Sequence, residues 1–209
     1  MTGFLTVWIT ACSSMTLSFS ALYTAYRLFK EHRAPAAGFF LLGLSAGFCT
    51  LPLSSSPYLT FLQGDLEWVS EVLAPPLVSF GFLWLSEDRA TAHILLIGSA
   101  LLPVFCDRLS ANEMILMSRC LALSAFSCSL TVCLFTGNAL GALGSVALCL
   151  PQMVAPRICV KALAPLVSPG TTVGLPMWLL KGSMIIGCWV SERALSKYLS
   201  ELRVLDCQF

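Results

Sequence analysis

Charge is scarce in this sequence, and its scarcity decides the class of protein. Only 11% of the 209 residues are Asp, Glu, Lys or Arg, against about 25% in a soluble domain. Residues 2–26 contain none of the four, and about 20 apolar residues in a helix cross a bilayer. Because 57% of the residues are hydrophobic, polar groups cannot cover the surface of the folded chain, so lipid must solvate it. The sequence predicts an all-α integral membrane protein.

Histidine is scarce too, and this disfavours membrane enzymes and metal sites. His32 and His93 are the only histidines, no Asp falls within a candidate span, and no CxxC pair occurs. Membrane hydrolases usually need several such residues as metal ligands or as acid and base catalysts. The formal net charge of +1 gives no general attraction to nucleic acid. We therefore expect no metal, no cofactor, no nucleic-acid partner and no catalytic residue.

Long apolar runs bounded by charges predict about seven membrane spans, with six to eight possible. They cover residues 4–26, 36–53, 68–86, 92–106, 114–135, 138–155 and 174–190. Prolines predict an irregular segment over residues 156–173. The expected architecture is one compact bundle over residues 1–190 and a tail over residues 191–209.

Basic residues in the loops predict the orientation of the bundle, because Lys and Arg in short loops are retained in the cytosol. With seven spans, the first loop and the tail share one side, which carries Arg27, Lys30, Arg33, Arg89, Arg193, Lys197 and Arg203, against Arg108, Arg157 and Lys161 on the other. We expect the N-terminus to lie outside or in a lumen and the C-terminus in the cytosol. The membrane is an endomembrane or the plasma membrane.

Three charges interrupt the apolar runs, at Glu71, Arg119 and Lys181. A charge inside a bilayer is expensive unless it is paired or wetted, so each indicates a functional site by default. All three are expected in the outer half of the membrane, where opposite charges can pair across helices and line a polar cavity. The alternative is that Glu71 and Arg119 extend to the headgroups as end-proximal charges do.

Two adjacent prolines, Pro75 and Pro76, follow Glu71 by one turn. Proline lacks a backbone N–H, so it leaves a carbonyl of the preceding turn unpaired and bends the helix. In transporters such carbonyls can face a cavity or an ion. The alternative is a kink that serves packing alone.

Small residues at four-residue spacing predict close helix packing, because they let backbones approach each other. They are Gly43 and Gly47, Gly137 and Gly141, and Ser183 and Gly187. This spacing favours packing within the bundle over a dedicated dimer interface.

The tail has an amphipathic pattern. Its apolar face consists of Leu195, Tyr198, Leu199, Leu202 and Leu205, and charged residues occupy the other face. We expect this helix to lie along the membrane surface or to pack on the bundle. The alternative is a docking helix for a membrane or cytosolic protein.

Residues 144–153, which include Pro151 and Gln152, resemble the Pro-Gln turn of PQ-loop transporters. The resemblance covers these residues alone, and the second Pro-Gln pair of that family is missing from the first half of the chain. It implies a seven-span carrier of small solutes.

Two hypotheses of function follow. The first is a non-enzymatic accessory or assembly factor that acts through helix packing and its cytosolic tail. The second is a small solute or lipid carrier with a polar intramembrane site around Glu71 and Lys181.

Overall fold

The computed structural model describes residues 2–30, 33–50, 57–105, 108–154 and 174–206. These residues form seven α-helices and no strand. The helices are α1 Thr2–Leu28, α2 Arg33–Phe48, α3 Pro57–Leu85, α4 Arg89–Val104, α5 Ala111–Phe135, α6 Ala139–Val154 and α7 Gly174–Asp206. The predicted irregular segment over residues 156–173 lies outside the described residues.

The central helix is α3, which packs against α2, α4, α5, α6 and α7. Its fully buried side chains include Val78 and Phe82, and together with Leu42 of α2 and Leu195 of α7 they form part of one continuous core. On the other side of the bundle, α1 packs against α2 and α7. Each apolar helix therefore buries part of its surface against other helices, and its remaining surface faces outward.

Glycines allow the closest helix contacts, since an added Cβ would overlap a neighbouring helix. A Cβ at Gly43 would lie 2.8 Å from Leu22 Cγ, and one at Gly187 would lie 2.8 Å from Leu148 Cγ. A Cβ at Gly141 would lie 2.5 Å from Cys133 Sγ, and one at Gly47 would lie 3.1 Å from Ser18 Oγ. These positions hold α1 against α2, α6 against α7 and α5 against α6.

Two of the predicted packing residues have different environments. Gly137 lies in the turn between α5 and α6 with a φ of 67°, and a Cβ there would meet nothing within 4 Å. A turn with positive φ suits glycine because L side chains are strained there, so Gly137 serves the turn and not a helix interface. Ser183 is half-buried and its hydroxyl donates to Leu180 O of its own helix.

Asn138 joins the start of α6 to the second half of α7. Its Oδ1 accepts a hydrogen bond from Gly141 N at 3.1 Å, and its Nδ2 donates to Ala194 O at 3.1 Å. The side chain is 6% exposed, so one buried amide caps a helix and binds a second helix at once.

The last helix continues without a break into the predicted tail. A helix of 33 residues is about 50 Å long, longer than the roughly 30 Å hydrocarbon core of a bilayer. Leu195 and Tyr198 are buried in the bundle and Leu199 is half-buried, while Arg193 and Lys197 are exposed. The side chains of Leu202 and Leu205 lie outside the described part. The first turns of the tail therefore belong to the bundle.

Two of the described helices are long and apolar enough to cross a membrane. They contain the segments Leu62–Leu85 of α3 and Asn112–Phe135 of α5. The apolar helices α4 and α6 have 16 residues each, slightly fewer than the roughly 17–25 of a typical span. Seven crossings therefore stay a prediction.

Candidate functional site

Lys181 is a buried cation at the meeting point of α1, α3 and α7. The residue is 7% exposed, and its Nζ donates a hydrogen bond to Ser14 Oγ at 2.5 Å. Glu67 Oε1 lies 4.0 Å from the same nitrogen, and the Glu67 side chain is 22% exposed. The opposite charge compensates the cation, as a buried charge requires.

The acidic partner of Lys181 is Glu67, one turn before the predicted candidate Glu71. Glu67 lies immediately before the predicted span of residues 68–86, so the predicted boundary leaves it out of the helix. The helix begins at Pro57, which places Glu67 and Glu71 inside α3 on one face, four residues apart. That spacing is the signal in the sequence that could have identified Glu67.

Glu71 contributes its backbone to the same region. Pro75 has no N–H, so Glu71 O lacks the hydrogen bond that residue 75 would otherwise donate in a helix. Gln152 Nε2 of α6 donates to this carbonyl. The proline therefore removes the helical donor of this carbonyl, and a side chain from another helix binds it.

Gln152 has one side-chain atom that lacks a partner within the described part of the chain. The residue is 7% exposed, and its buried Oε1 accepts no hydrogen bond from the described residues. The neighbouring Pro151 is buried as well, as are Pro75 and Pro76. The Pro-Gln pair thus lies inside a helix, facing α3. We call Ser14, Glu67, Glu71, Gln152 and Lys181 the polar core.

Serine hydroxyls join the helices around the polar core. Ser45 Oγ of α2 and Ser70 Oγ of α3 lie 2.6 Å apart in a buried hydrogen bond. Ser18 Oγ of α1 donates to Gly43 O of α2 at 2.8 Å. With these bonds, five helices share one polar layer, which can fix their register or bind a polar group of a ligand.

Arg119 lies apart from this layer. It is exposed on α5, whereas the charge next to Lys181 comes from α3. The outward face of α5 also carries small residues at three- and four-residue spacing, namely Cys120, Ser124, Ser127 and Thr131, and all four are exposed. Arg119 therefore does not join the polar core, and the placement of all three charges in one half of the membrane stays a prediction.

The opposite end of the bundle contains a second ion pair. Arg27 Nε of α1 lies 3.4 Å from Glu192 Oε1 of α7, with side chains 55% and 5% exposed. Arg193, the next residue, is exposed and its guanidinium lies 4.1 Å from the Trp189 ring centroid. The pair attaches the second half of α7 to the end of α1.

Comparison with known proteins finds relatives that share one name. The chain is 33% identical over 141 residues to human transmembrane protein 276, and the match covers 68% of this chain and 72% of the human protein. The rat protein of that name is 32% identical with the same coverage, and the bovine one is 32% identical over 144 residues, also covering 68% and 72%. No protein-family model matches the chain, and no solved structure matches it.

Proposed function

Because this chain belongs to the transmembrane protein 276 family and is a membrane protein, we propose that it is a non-enzymatic multi-pass accessory or assembly factor. It acts by packing a helix of another membrane protein against its own α5. The observation that carries the proposal is the exposed stripe of Cys120, Ser124, Ser127 and Thr131 on that helix.

The stripe suits a partner helix better than lipid alone. Small side chains allow a second backbone to come close, and packing of this kind drives association in a bilayer. The hydroxyls are satisfied within α5: Ser124 donates to Cys120 O, Ser127 to Leu123 O and Thr131 to Ser127 O, at 2.8 to 2.9 Å. A partner can therefore cover this face without leaving a polar group unpaired.

The tail offers a partner less apolar surface than its sequence pattern indicates. Leu195 and Tyr198 are buried on the bundle, so this part of the apolar face is already covered. Its other side, with Arg193 and Lys197, is exposed and can contact a cytosolic partner. We therefore assign the main contact to α5 and a secondary one to the tail.

Substitution of the stripe tests the proposal. Ser127→Leu and Ser124→Leu should reduce the size of the complex that the full-length protein forms in its native membrane, measured by native electrophoresis after mild solubilisation. The control is Gly98→Leu on α4, because Gly98 is also exposed and a Cβ there would meet nothing within 4 Å. A wild-type protein that migrates as a monomer, or a complex that Ser127→Leu and Gly98→Leu affect equally, would contradict the proposal.

We also propose that the end of the bundle with Arg27 and Arg193 faces the cytosol and that the N-terminus lies outside or in a lumen. The support is the gathering of described cations at this end, namely Arg27, Lys30, Arg33, Arg89, Arg193 and Lys197. A cysteine replacing Ser196, which is exposed on α7, should react with an impermeant thiol reagent only after the cell or organelle is opened. Labelling of the intact compartment would reverse the orientation.

A carrier with a polar intramembrane site is the second candidate. It is favoured by Gln152 Oε1, which is buried and has no hydrogen-bond partner among the residues that the structure describes, and by the bond of the same side chain to Glu71 O. A polar group of a transported solute could donate a hydrogen bond to this oxygen. Separation of Lys181 from Glu67 would open a path to it. Intramembrane charges frequently mark such paths.

Access of water to the polar core separates the two candidates. In a cysteine-free background, Ser14→Cys should react with a water-soluble thiol reagent if the bundle opens during transport, although Ser14 is only 1% exposed. Ser129→Cys is the control, since Ser129 is fully buried on α5. Equal protection of both cysteines would exclude the carrier, and uptake that survives Glu71→Gln and Lys181→Met together would exclude the polar core as the site of transport.

A further inference from the structure

An open cleft lies at the end of the bundle where the described cations gather, well away from the polar core. Its volume is about 350 Å³, and it is lined by Lys30, Arg33, Ala34, Pro35, Phe80, Gly81 and Trp84. Clefts of roughly 300–1,000 Å³ are the usual size of small-molecule sites. The end of α1, the start of α2 and the last turns of α3 form it together.

The walls of this cleft differ in chemistry. Lys30 and Arg33 are exposed and supply two cations to the lining. Among the residues that the structure describes, neither makes a salt bridge and no carboxylate lines the cleft. Helix α3 supplies aromatic rings: Phe80 and Trp84 stack with ring centroids 5.5 Å apart and planes at 21°.

The stacked rings are held in place from outside the cleft. His93 of α4 meets Phe80 and Trp84 at centroid distances of 6.2 and 5.9 Å. The guanidinium of Arg89 lies 5.2 Å from the Trp84 ring centroid. Trp84 is nevertheless 45% exposed, so part of the indole is available to a ligand. Tryptophan near the end of a membrane helix is typical of the headgroup region of a bilayer.

We propose that this cleft binds the headgroup of an anionic phospholipid from the leaflet that surrounds this end of the bundle. The phosphate lies between Lys30 and Arg33, where two cations complement its charge. The glycerol and the first methylenes lie against Phe80, Trp84 and Pro35. A zwitterionic lipid binds less well because its headgroup has no net charge to be attracted by the two residues.

Lipid titration of the purified full-length protein tests this proposal. Delipidated protein in neutral detergent is titrated with phosphatidylserine or with phosphatidylcholine, and bound lipid is counted by native mass spectrometry. Wild-type protein should retain phosphatidylserine in preference, and Lys30→Gln with Arg33→Gln should weaken its binding about tenfold or more. Lys30→Arg with Arg33→Lys should restore it, because both cations return.

The control is Arg193→Gln, which removes an exposed cation next to a tryptophan, Trp189, outside the cleft. It should leave phosphatidylserine binding unchanged. Equal losses in Arg193→Gln and in the double variant would show attraction to the basic end in general and would overturn the site. Equal binding of the two lipids, or displacement of phosphatidylserine by inorganic phosphate at the same concentration, would overturn it too. The melting temperature of each variant is measured first. It should be unchanged, because the substituted side chains are exposed.

Discussion

Helices α3 and α5 contain apolar segments of similar length and hydropathy, but α3 lies inside the bundle and α5 lies mostly at its surface. Their apolar segments have 24 residues each, with a mean hydropathy of 1.4 in α3 and 1.6 in α5. In α3, 61% of the apolar window is buried inside the bundle, and in α5 28% is. Apolarity alone therefore does not distinguish a helix surrounded by helices from one that faces lipid, since both environments lack water.

The two helices differ in what their polar groups contact. On α3, Ser79 donates to Ala125 O of α5 at 2.7 Å, and Glu67 pairs with Lys181 of α7. On α5, Ser124 and Ser127 are bonded to carbonyls of their own helix. Polar groups that bind across helices mark the interior, and polar groups that bind within their own helix can occur outside.

The largest expected difference in the free energy of unfolding between the two helices comes from their aromatic residues. Phe82 of α3 is fully buried, and Phe135 of α5 is 88% exposed. Phe82→Ala should lower the free energy of unfolding by about 3–5 kcal/mol because it leaves a cavity in the core. Phe135→Ala should change it by less than about 0.5 kcal/mol. Denaturant titration followed by circular dichroism measures both, and similar values for the two variants would break the comparison.

A smaller effect is expected from the cations. Lys181→Met leaves Glu67 without its counter-charge and should cost about 1–3 kcal/mol of unfolding free energy, less than for a fully buried pair because Glu67 is partly exposed. Arg119→Met removes an exposed cation of α5 and should have little effect. The double variant Glu67→Gln with Lys181→Met should recover part of the loss in the same titration. No recovery would mean that Lys181 contributes through Ser14 and not through Glu67.

The smallest effect is expected from the serines. Ser79→Ala removes a hydrogen bond between α3 and α5 and should cost about 0.6 kcal/mol, as measured for such bonds inside membranes. Ser124→Ala removes a bond within α5 and should be neutral within error. A double-mutant series with Phe82→Ala would show whether the contributions add. A loss for Ser124→Ala as large as that for Ser79→Ala would contradict the proposed difference between the two helices.

Much of the helical structure could be predicted from the sequence, and the partners of its polar groups could not. The apolar runs indicated the approximate position of each described helix, but α3 begins eleven residues before the predicted span, at Pro57 and not at Trp68. Because of that difference, Glu67 lies inside the helix and not before it. A hydropathy pattern cannot show where a helix extends into polar sequence, because the helix continues wherever backbone bonds and packing support it.

The contacts within the polar core were even less predictable from the sequence. Lys181, Glu71 and the two prolines were recognisable because charge and missing donors are properties of single residues. The bond from Gln152 to Glu71 O joins residues 81 positions apart, and this carbonyl has no helical N–H donor at residue 75 because that residue is a proline. Gly137 and Gly141 look equivalent in sequence, yet one forms a turn and the other a contact with Cys133 and Phe82.

The sequence by itself determined that this is a helical membrane protein, because the balance of apolar and charged residues depends on composition and local order alone. Only the tertiary structure decided which helix lies at the centre, which acid pairs with Lys181 and which faces stay outside. These depend on distances between residues far apart in the chain, and in a bilayer no difference in polarity separates a buried apolar face from a lipid-facing one.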